Sequence, residues 1–495
     1  MAFRHISTTG SSIGGDLSFY EENIGAADDE YDDDTVPSNE TEISIVDATS
    51  SGPMPQDHFG FSVAAGSGRI VVGAPYDDKP GTGNVQEVQP ATAPHLNIGS
   101  IRIYDENGSI LSIVIPPIDY NPNNFHNTAD NRGRHAKYGW SVAAGCDRII
   151  VGAPEDTPET TSSTYATGAS YYTDSGAAWI LDLDGTIIKQ LYAQDHGVTG
   201  SSKNDQFGHS VAVGSGRVVV GARYNDGTDS NSTGANASKG SAYIYDLDGQ
   251  AISYLVGEAS DDQFGFSVAV GSGRIVVGAI TKNKDNTLTN SGSVYIYDLD
   301  GNLITELFAS DPASNEEFGR SVAVGSGRIV VGSPFATVSA VANAGEVHIY
   351  DLDGTLIKKI TATNGGQYAL YGWSVAVGSG RIVVGSVWEA TTYDVNDDDY
   401  AELTAAFPTD FTGTTYVYDL DGNLISRLKP NSLQPAPTAT FNGSNFGRDV
   451  AIGSGKIVVG AAHHDVVYNS TTVADAGVAF TYDTPDVKHH LDILD

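Results

Sequence analysis

The stretch FGFSVAAGSGRIVVGA, beginning at Phe59, decides the fold because the chain writes it seven times. It returns as YGWSVAAGCDRIIVGA from Tyr138, FGHSVAVGSGRVVVGA from Phe207, FGFSVAVGSGRIVVGA from Phe264 and FGRSVAVGSGRIVVGS from Phe318. The last two copies are YGWSVAVGSGRIVVGS from Tyr371 and FGRDVAIGSGKIVVGA from Phe446. A unit repeated along a chain signals a repeat architecture, in which each copy buries its apolar face against its neighbours.

Each copy reads as four short strands. Strand A is SVAVG, whose small side chains suit the crowded inner edge of a radial sheet. A Gly-Ser-Gly turn follows, supplying the positive φ that a tight hairpin needs. Strand B is RIVVGA, an unbroken β-branched run of the kind buried on both faces. Strand C follows a loop of variable length and a Gly, as in GSAYIYD at Gly240, GSVYIYD at Gly292 and GEVHIYD at Gly345, with alternating aromatic and β-branched residues. It ends in a second recurring turn, YDENG from Tyr104, LDLDG from Leu181, and YDLDG from Tyr245, Tyr297, Tyr350 and Tyr418. There the Asp opens the turn by accepting nearby backbone N–H groups and the Gly closes it in a left-handed conformation. Strand D is NLITEL at Asn302 or TLIKKI at Thr355. Four antiparallel strands written seven times predict an all-β fold, a seven-bladed β-propeller of four-stranded antiparallel blades.

The last copy lacks its strand D: Asp-Thr-Pro-Asp follows Tyr482 where the others have DLDG. The stretch ISIVDATSSGPMPQDHFG from Ile43 resembles LITELFASDPASNEEFG from Leu303. Strand Ile43–Val46 is therefore expected to cross to the last blade and close the ring, removing a seam that stacked sheets would otherwise expose. The competing strand is VKHHLDILD, residues 487–495. The predicted organisation is an acidic, polar N-terminal arm over 1–42, a propeller over 43–486 and a C-terminal tail over 487–495.

Composition narrows the partners. The chain has 495 residues with 62 acidic against 26 basic side chains, a formal charge of −36. Such a charge opposes a phosphate backbone, so no nucleic-acid partner is expected. The N-terminal stretch shows no apolar leader and no run is long enough to span a bilayer, so no membrane insertion is expected. The single cysteine, Cys146, replaces the Ser of one GSG turn and excludes an intrachain disulfide framework. Residues 1–42, with six acids between Asp28 and Asp34, read as an arm that orders on a partner.

The A–B and C–D turns share one face of the disc and are monotonous. The B–C loops and D–A crossovers share the other, where the variation lies. The B–C loops run over 75–98, 154–175, 223–239, 280–291, 334–344, 387–412 and 462–476, and the crossover 115–137 dwarfs the crossover 256–263. Blades 6, 7, 1 and 2 thus form a built-up sector, and long loops on a rigid scaffold are where function concentrates. Its candidate contact residues are Phe125, His126, Arg132, Arg134, His135 and Lys137 in the crossover, Tyr165, Tyr171 and Tyr172 in the second B–C loop, and Trp388, Glu389, Tyr393 and Tyr400 in the sixth. Aromatic residues among scattered charges suit protein and glycan partners.

A basic residue opens strand B in every copy: Arg69, Arg148, Arg217, Arg274, Arg328, Arg381 and Lys456. These are expected to form a structural ring with the turn aspartates of their own blades, such as Asp246, Asp298 or Asp351. His209 sits at a variable strand position and is read as exposed. No resident metal or other cofactor is expected. The weak candidates for Ca2+ are the acidic run Asp394, Asn396, Asp397, Asp398 and Asp399, which lacks the Gly of an EF-hand loop, and the DLDG turns, which offer too few carboxylates. HExxH and phosphate-cradling loops are missing from the sequence, and no catalytic residue is assigned.

The copies, with FG opening strand A and VVGAP or VGA closing strand B, resemble FG-GAP repeats such as those of the integrin α-subunit propeller, over about residues 43–483. The resemblance implies the propeller fold and a role in adhesion or ligand binding. That family's calcium loop, DxDxDG, lies between the FG and GAP halves; here the position holds GSG in six copies and GCD in the second. The family's calcium sites are therefore not carried over. Repeat style and the acidic arm also resemble a virion component of a phage tail, fibre or capsid decoration. The expectation is a non-enzymatic structural and recognition protein of a virus particle, with other virion proteins or a host glycan or receptor as partners. A cell-surface adhesin and a polysaccharide hydrolase or lyase are the alternatives.

Overall fold

The computed structural model describes residues 43–46, 56–77, 97–116, 136–156, 174–193, 204–226, 238–285, 287–362, 366–389, 413–429, 443–468 and 471–484. Seven four-stranded antiparallel sheets follow the repeats in order. Blade 3 shows the pattern: strand A is Phe207–Gly214, B is Arg217–Ala222, C is Ser241–Tyr245 and D is Ala251–Val256. The A strands of successive blades touch around the ring, and Ser62–Gly66 of blade 1 meets Val450–Gly453 of blade 7. Blade 7 takes Ile43–Val46 as its outer strand, paired antiparallel to Val478–Asp483 in the register Ile43 to Thr481 and Val46 to Val478. The expected N-terminal closure is therefore observed. Residues 1–42 and 487–495 lie outside the described residues.

The repeat sentence is explained by how one blade reads the next. The Ser of FGxS points its hydroxyl across the blade interface at the carbonyl of the next FG glycine: Ser62 to Gly139 at 2.8 Å, Ser210 to Gly265 at 2.9 Å, Ser267 to Gly319 at 2.6 Å and Ser374 to Gly447 at 2.8 Å. That bond passes over the Gly of VVGA. A Cβ on Gly278 would stand 2.2 Å from the Gly319 carbonyl oxygen and 2.3 Å from Ser267 Oγ. The FG aromatic meets the central residue of strand C edge-on, as in Phe207 with Tyr243 at 5.1 Å and Tyr371 with Tyr416 at 5.3 Å. Such pairs contribute about 0.5–1.5 kcal/mol beyond their buried area. Blade 1 departs from the rule: Arg102 fills that position, fully buried and paired with Asp77 at 3.0 Å.

The two turns behave as expected. Ser215 and Gly216 both have positive φ (48° and 75°), as a two-residue hairpin turn requires. In the C–D turn, Asp298 Oδ1 accepts the N–H groups of Asp300 at 3.0 Å and Asn302 at 2.9 Å. The Asn302 side chain and these N–H groups hold its carboxyl below the usual range. The first turn aspartate is thus committed to folding its own turn.

The basic ring exists, but its partners differ from those expected. Four of the arginines cross to the next blade and take the second Asp of that blade's turn: Arg148 with Asp248 at 3.3 Å, Arg217 with Asp300 at 3.3 Å, Arg274 with Asp353 at 3.0 Å and Arg328 with Asp421 at 3.2 Å. The arginine Nε donates to the intervening leucine carbonyl, as in Arg69 to Leu183 at 2.9 Å and Arg274 to Leu352 at 2.9 Å. The aspartates of the same blade are already saturated by backbone N–H groups, and the guanidinium reaches past them. Lys456 alone among these pairs stays within its blade, on Asp483. Arg381 packs against the turn before it, donating to the Gly380 carbonyl at 3.0 Å.

Candidate functional site

The residue between FG and Ser packs against its counterparts in the neighbouring blades. It stands at the start of strand A, the innermost strand, on the face that carries the B–C loops. The seven residues there are Phe61, Trp140, His209, Phe266, Arg320, Trp373 and Arg448. They form a belt around the mouth of the central channel. Phe61 packs on Trp140 at 4.6 Å, Trp140 on His209 at 6.0 Å and His209 on Phe266 at 4.9 Å between ring centroids. Arg320 lies over Phe266 at 5.3 Å and over Trp373 at 4.2 Å, and Arg448 lies over Phe61 at 3.9 Å.

A second tier from the B–C loops and crossovers backs this belt. Lys137 sits over Tyr76 at 5.2 Å and Trp140 at 5.0 Å while pairing with Glu155 at 2.5 Å. Arg223 lies over Tyr224 at 4.4 Å and donates through Nε to Gln206 at 2.7 Å. Arg320 pairs with Glu317 at 2.5 Å, and Phe335 packs edge-on to Trp373 at 6.3 Å. Ring faces orient these cations, and Glu155 and Glu317 pair with two of them.

His209 is buried rather than exposed, with Nδ1 3.0 Å from the Phe266 carbonyl. Burial, helped by the charge of Arg223, drives its pKa well below the ordinary value, so the ring is neutral. Arg448 has the tightest cation–ring contact and the poorest compensation. Its Nε is buried without a hydrogen-bond partner, and burial holds the guanidinium down to about 10. The position three residues earlier, which supplies Glu317 to Arg320, holds Asn445. Four cations, Lys137, Arg223, Arg320 and Arg448, therefore gather at one mouth of a chain whose formal charge is −36.

The seam between blades 7 and 1 lies beside Arg448. Asp449 replaces the repeat's Ser, and its Oδ2 accepts the Val63 N–H at 2.7 Å. Burial pushes its carboxyl up to about 7. His58 and His463 meet nearby at a tilt, their ring centroids 4.5 Å apart, and burial lowers both; His58 falls to about 4.

Of the residues predicted as contacts, Lys137 is in the second tier of the belt. Trp388 projects from blade 6 with 44% of its surface exposed. Glu389 turns inward and accepts the Tyr416 hydroxyl at 2.6 Å. Phe125, His126, Arg132, Arg134, His135, Tyr165, Tyr171, Tyr172, Tyr393 and Tyr400 lie outside the described residues, as does the acidic run Asp394–Asp399. The belt went unread in the sequence because its position varies from copy to copy. The available signal was that every variant is large: two Phe, two Trp, two Arg and one His.

Residues 46–88, 191–245, 257–297 and 302–350 match the model of the FG-GAP repeat. No curated protein sequence matches the chain significantly. The chain thus carries FG-GAP repeats in a seven-bladed β-propeller, a scaffold that typically serves binding and recognition.

Proposed function

We propose that the protein is a non-enzymatic recognition module of a virus particle, engaging a partner protein or a host-surface glycan through the loop-bearing face, with the belt at its centre. The observation that carries this reading is the belt itself. Ring faces from Phe61, Trp140, Phe266 and Trp373 lie beside two guanidinium groups, Arg320, which Glu317 pairs, and Arg448, whose Nε has no hydrogen-bond partner. Rings of this kind bind the apolar faces of sugars and side chains, and the arginines select acidic groups. Two of the chain's four tryptophans, Trp140 and Trp373, are in the belt, so its occupation is readable by fluorescence. Titration with uronate- and sialate-containing oligosaccharides, with neutral ones as controls, is expected to quench emission saturably for the acidic set. Arg448→Gln is expected to weaken that binding at least tenfold. Equal response to neutral and acidic sugars, or binding indifferent to Arg448→Gln and Trp140→Phe, refutes the assignment to the belt. Membership of a virus particle is supported by the acidic segment 1–42, read as a docking arm. Proteomic recovery from purified particles tests it, and recovery only from a cell-surface fraction favours the adhesin.

A further inference from the structure

Blade 5 breaks the repeat at two adjacent inward positions of strand C, and the changes meet. Blades 3 and 4 read Ser241, Tyr243 and Ser293, Tyr295 there, whereas blade 5 reads Glu346 and His348 on strand Glu346–Tyr350. Across the ladder, His348 is the register partner of Lys359 on strand Leu356–Thr361. Asp311, in the crossover from blade 4 to blade 5, bends over the same spot. Donor atoms of Asp311, Glu346 and His348 all lie within 4.8 Å of one another.

His348 has no structural reason to be histidine. It is fully buried, it takes the edge-on place against Phe318 at 5.2 Å that an aromatic ring fills elsewhere, and neither ring nitrogen makes a hydrogen bond. Nε2 stands 3.5 Å from Glu346 Oε1. Tyrosine at this position serves blades 3, 4 and 6 in Tyr243, Tyr295 and Tyr416. A buried imidazole with two idle nitrogens facing two carboxylates is a donor set lacking its acceptor. The acceptor's place is held by Lys359, whose Nζ lies 2.9 Å from both Asp311 oxygens and 3.1 Å from Glu346 Oε2.

We propose that Asp311, Glu346 and His348 form a binding site for one divalent transition-metal ion of the zinc class, with Lys359 as its built-in competitor. One imidazole nitrogen and two carboxylates suit zinc, cobalt or manganese, whereas calcium takes oxygen ligands. Ligand atoms around a tetrahedral zinc at about 2.0–2.1 Å lie roughly 3.3 Å apart. His348 Nε2 and Glu346 Oε1 already stand 3.5 Å apart, and the three donor atoms lie within 4.8 Å of one another. Asp311 gives access, its side chain 65% exposed, and Lys359 is one-third exposed on a flexible stem that can swing out as the ion enters. The bound ion would tie the blade 4–5 crossover to the third strand of blade 5, independently of anything bound at the channel mouth.

Chelator-treated full-length protein titrated with Co2+ tests this, read by visible d–d absorption and by displacement with Zn2+. One saturable equivalent is expected, displaced by zinc. His348→Tyr restores the residue of the other blades, so it is expected to keep the wild-type unfolding midpoint without metal while losing at least tenfold in Co2+ affinity. Lys359→Gln is expected to bind several-fold more tightly. Absence of saturable binding up to 1 mM Co2+ (roughly a thousandfold weaker than an ordinary protein site at micromolar affinity) overturns the proposal. So does an equivalent that survives His348→Tyr, which would be adventitious binding to surface acids, or an affinity unmoved by Lys359→Gln.

Discussion

Replacing Gly278 by alanine tests the reason the repeat exists. Its φ is outside the left-handed region, so alanine meets no backbone penalty there. The new methyl would stand 2.2 Å from the Gly319 carbonyl oxygen and 2.3 Å from Ser267 Oγ. It therefore overpacks the blade 4–5 interface, at about 1–3 kcal/mol, and forces apart the Ser267 bond, worth about 1 kcal/mol. The expected loss is about 2–4 kcal/mol. Gly273→Ala is the control: nothing lies within 4 Å of its added Cβ, but its φ is +76°, so it reports conformational strain of about 1–2 kcal/mol alone. Guanidinium denaturation of both variants, of Ser267→Ala and of the Ser267→Ala/Gly278→Ala pair supplies the cycle. The double variant is expected to fall short of the summed losses by about 1 kcal/mol, because the hydroxyl bond cannot be lost twice. A Gly278→Ala loss below about 1 kcal/mol, or strict additivity with Ser267→Ala, refutes the account of the FGxS and VVGA pairing.

Two further outcomes follow from the blade 7–1 seam. Burial holds the folded-state Asp449 carboxyl up to about 7, above the unfolded value near 4, so its contribution to stability is present below about pH 4 and is lost as pH rises toward 7. Asp449→Ser removes this term and restores the repeat's hydroxyl beside Gly60, so its melting temperature is expected to fall less than the wild type's between pH 5 and pH 8; parallel profiles count against the assignment. Ile45 pairs with Ala479 in the closing strand, and Ile45→Pro sets a fixed φ and a missing N–H in the middle of that four-residue strand. Amide exchange is expected to accelerate across Val478–Asp483 while blades 3 and 4 keep their protection, and uniform protection would mean that the closing strand is dispensable.

The sequence was most legible where geometry repeats. Period-two strands, GSG and DLDG turns and the missing seventh strand D all obey local rules, so the blade order and the closure by Ile43–Val46 followed from the pattern. It was least legible where one blade touches another. The Arg274–Asp353 pair joins residues 79 positions apart, and nothing local distinguishes it from a pair with Asp298, which only the saturated turn geometry excludes. The belt was hidden for a related reason: Phe61, His209 and Arg448 share no chemistry as isolated letters, and only the ring closure brings them edge to edge. His209 looked exposed because strand position alone does not say that Phe266 and Arg223 will cover it. His348 was visible as a departure from Tyr, but its meaning depended on Asp311 folding over it from a crossover.

The closing strand also sets a clock. Ile43–Val46 is synthesised first among the described strands, and its partner, Val478–Asp483, last. At translation rates of about 5–20 residues per second, roughly 20–90 s separate the two. Throughout that interval the earliest strand has no ladder to join, while blades 1 to 6 are completed in order, each fastened to its predecessor as it emerges. Nascent chains crowded on one message would hold many such unclaimed strands at once, and any unfinished seventh blade nearby can accept one. Polysome density, rather than the stability of the finished ring, would then govern how often two chains exchange strands.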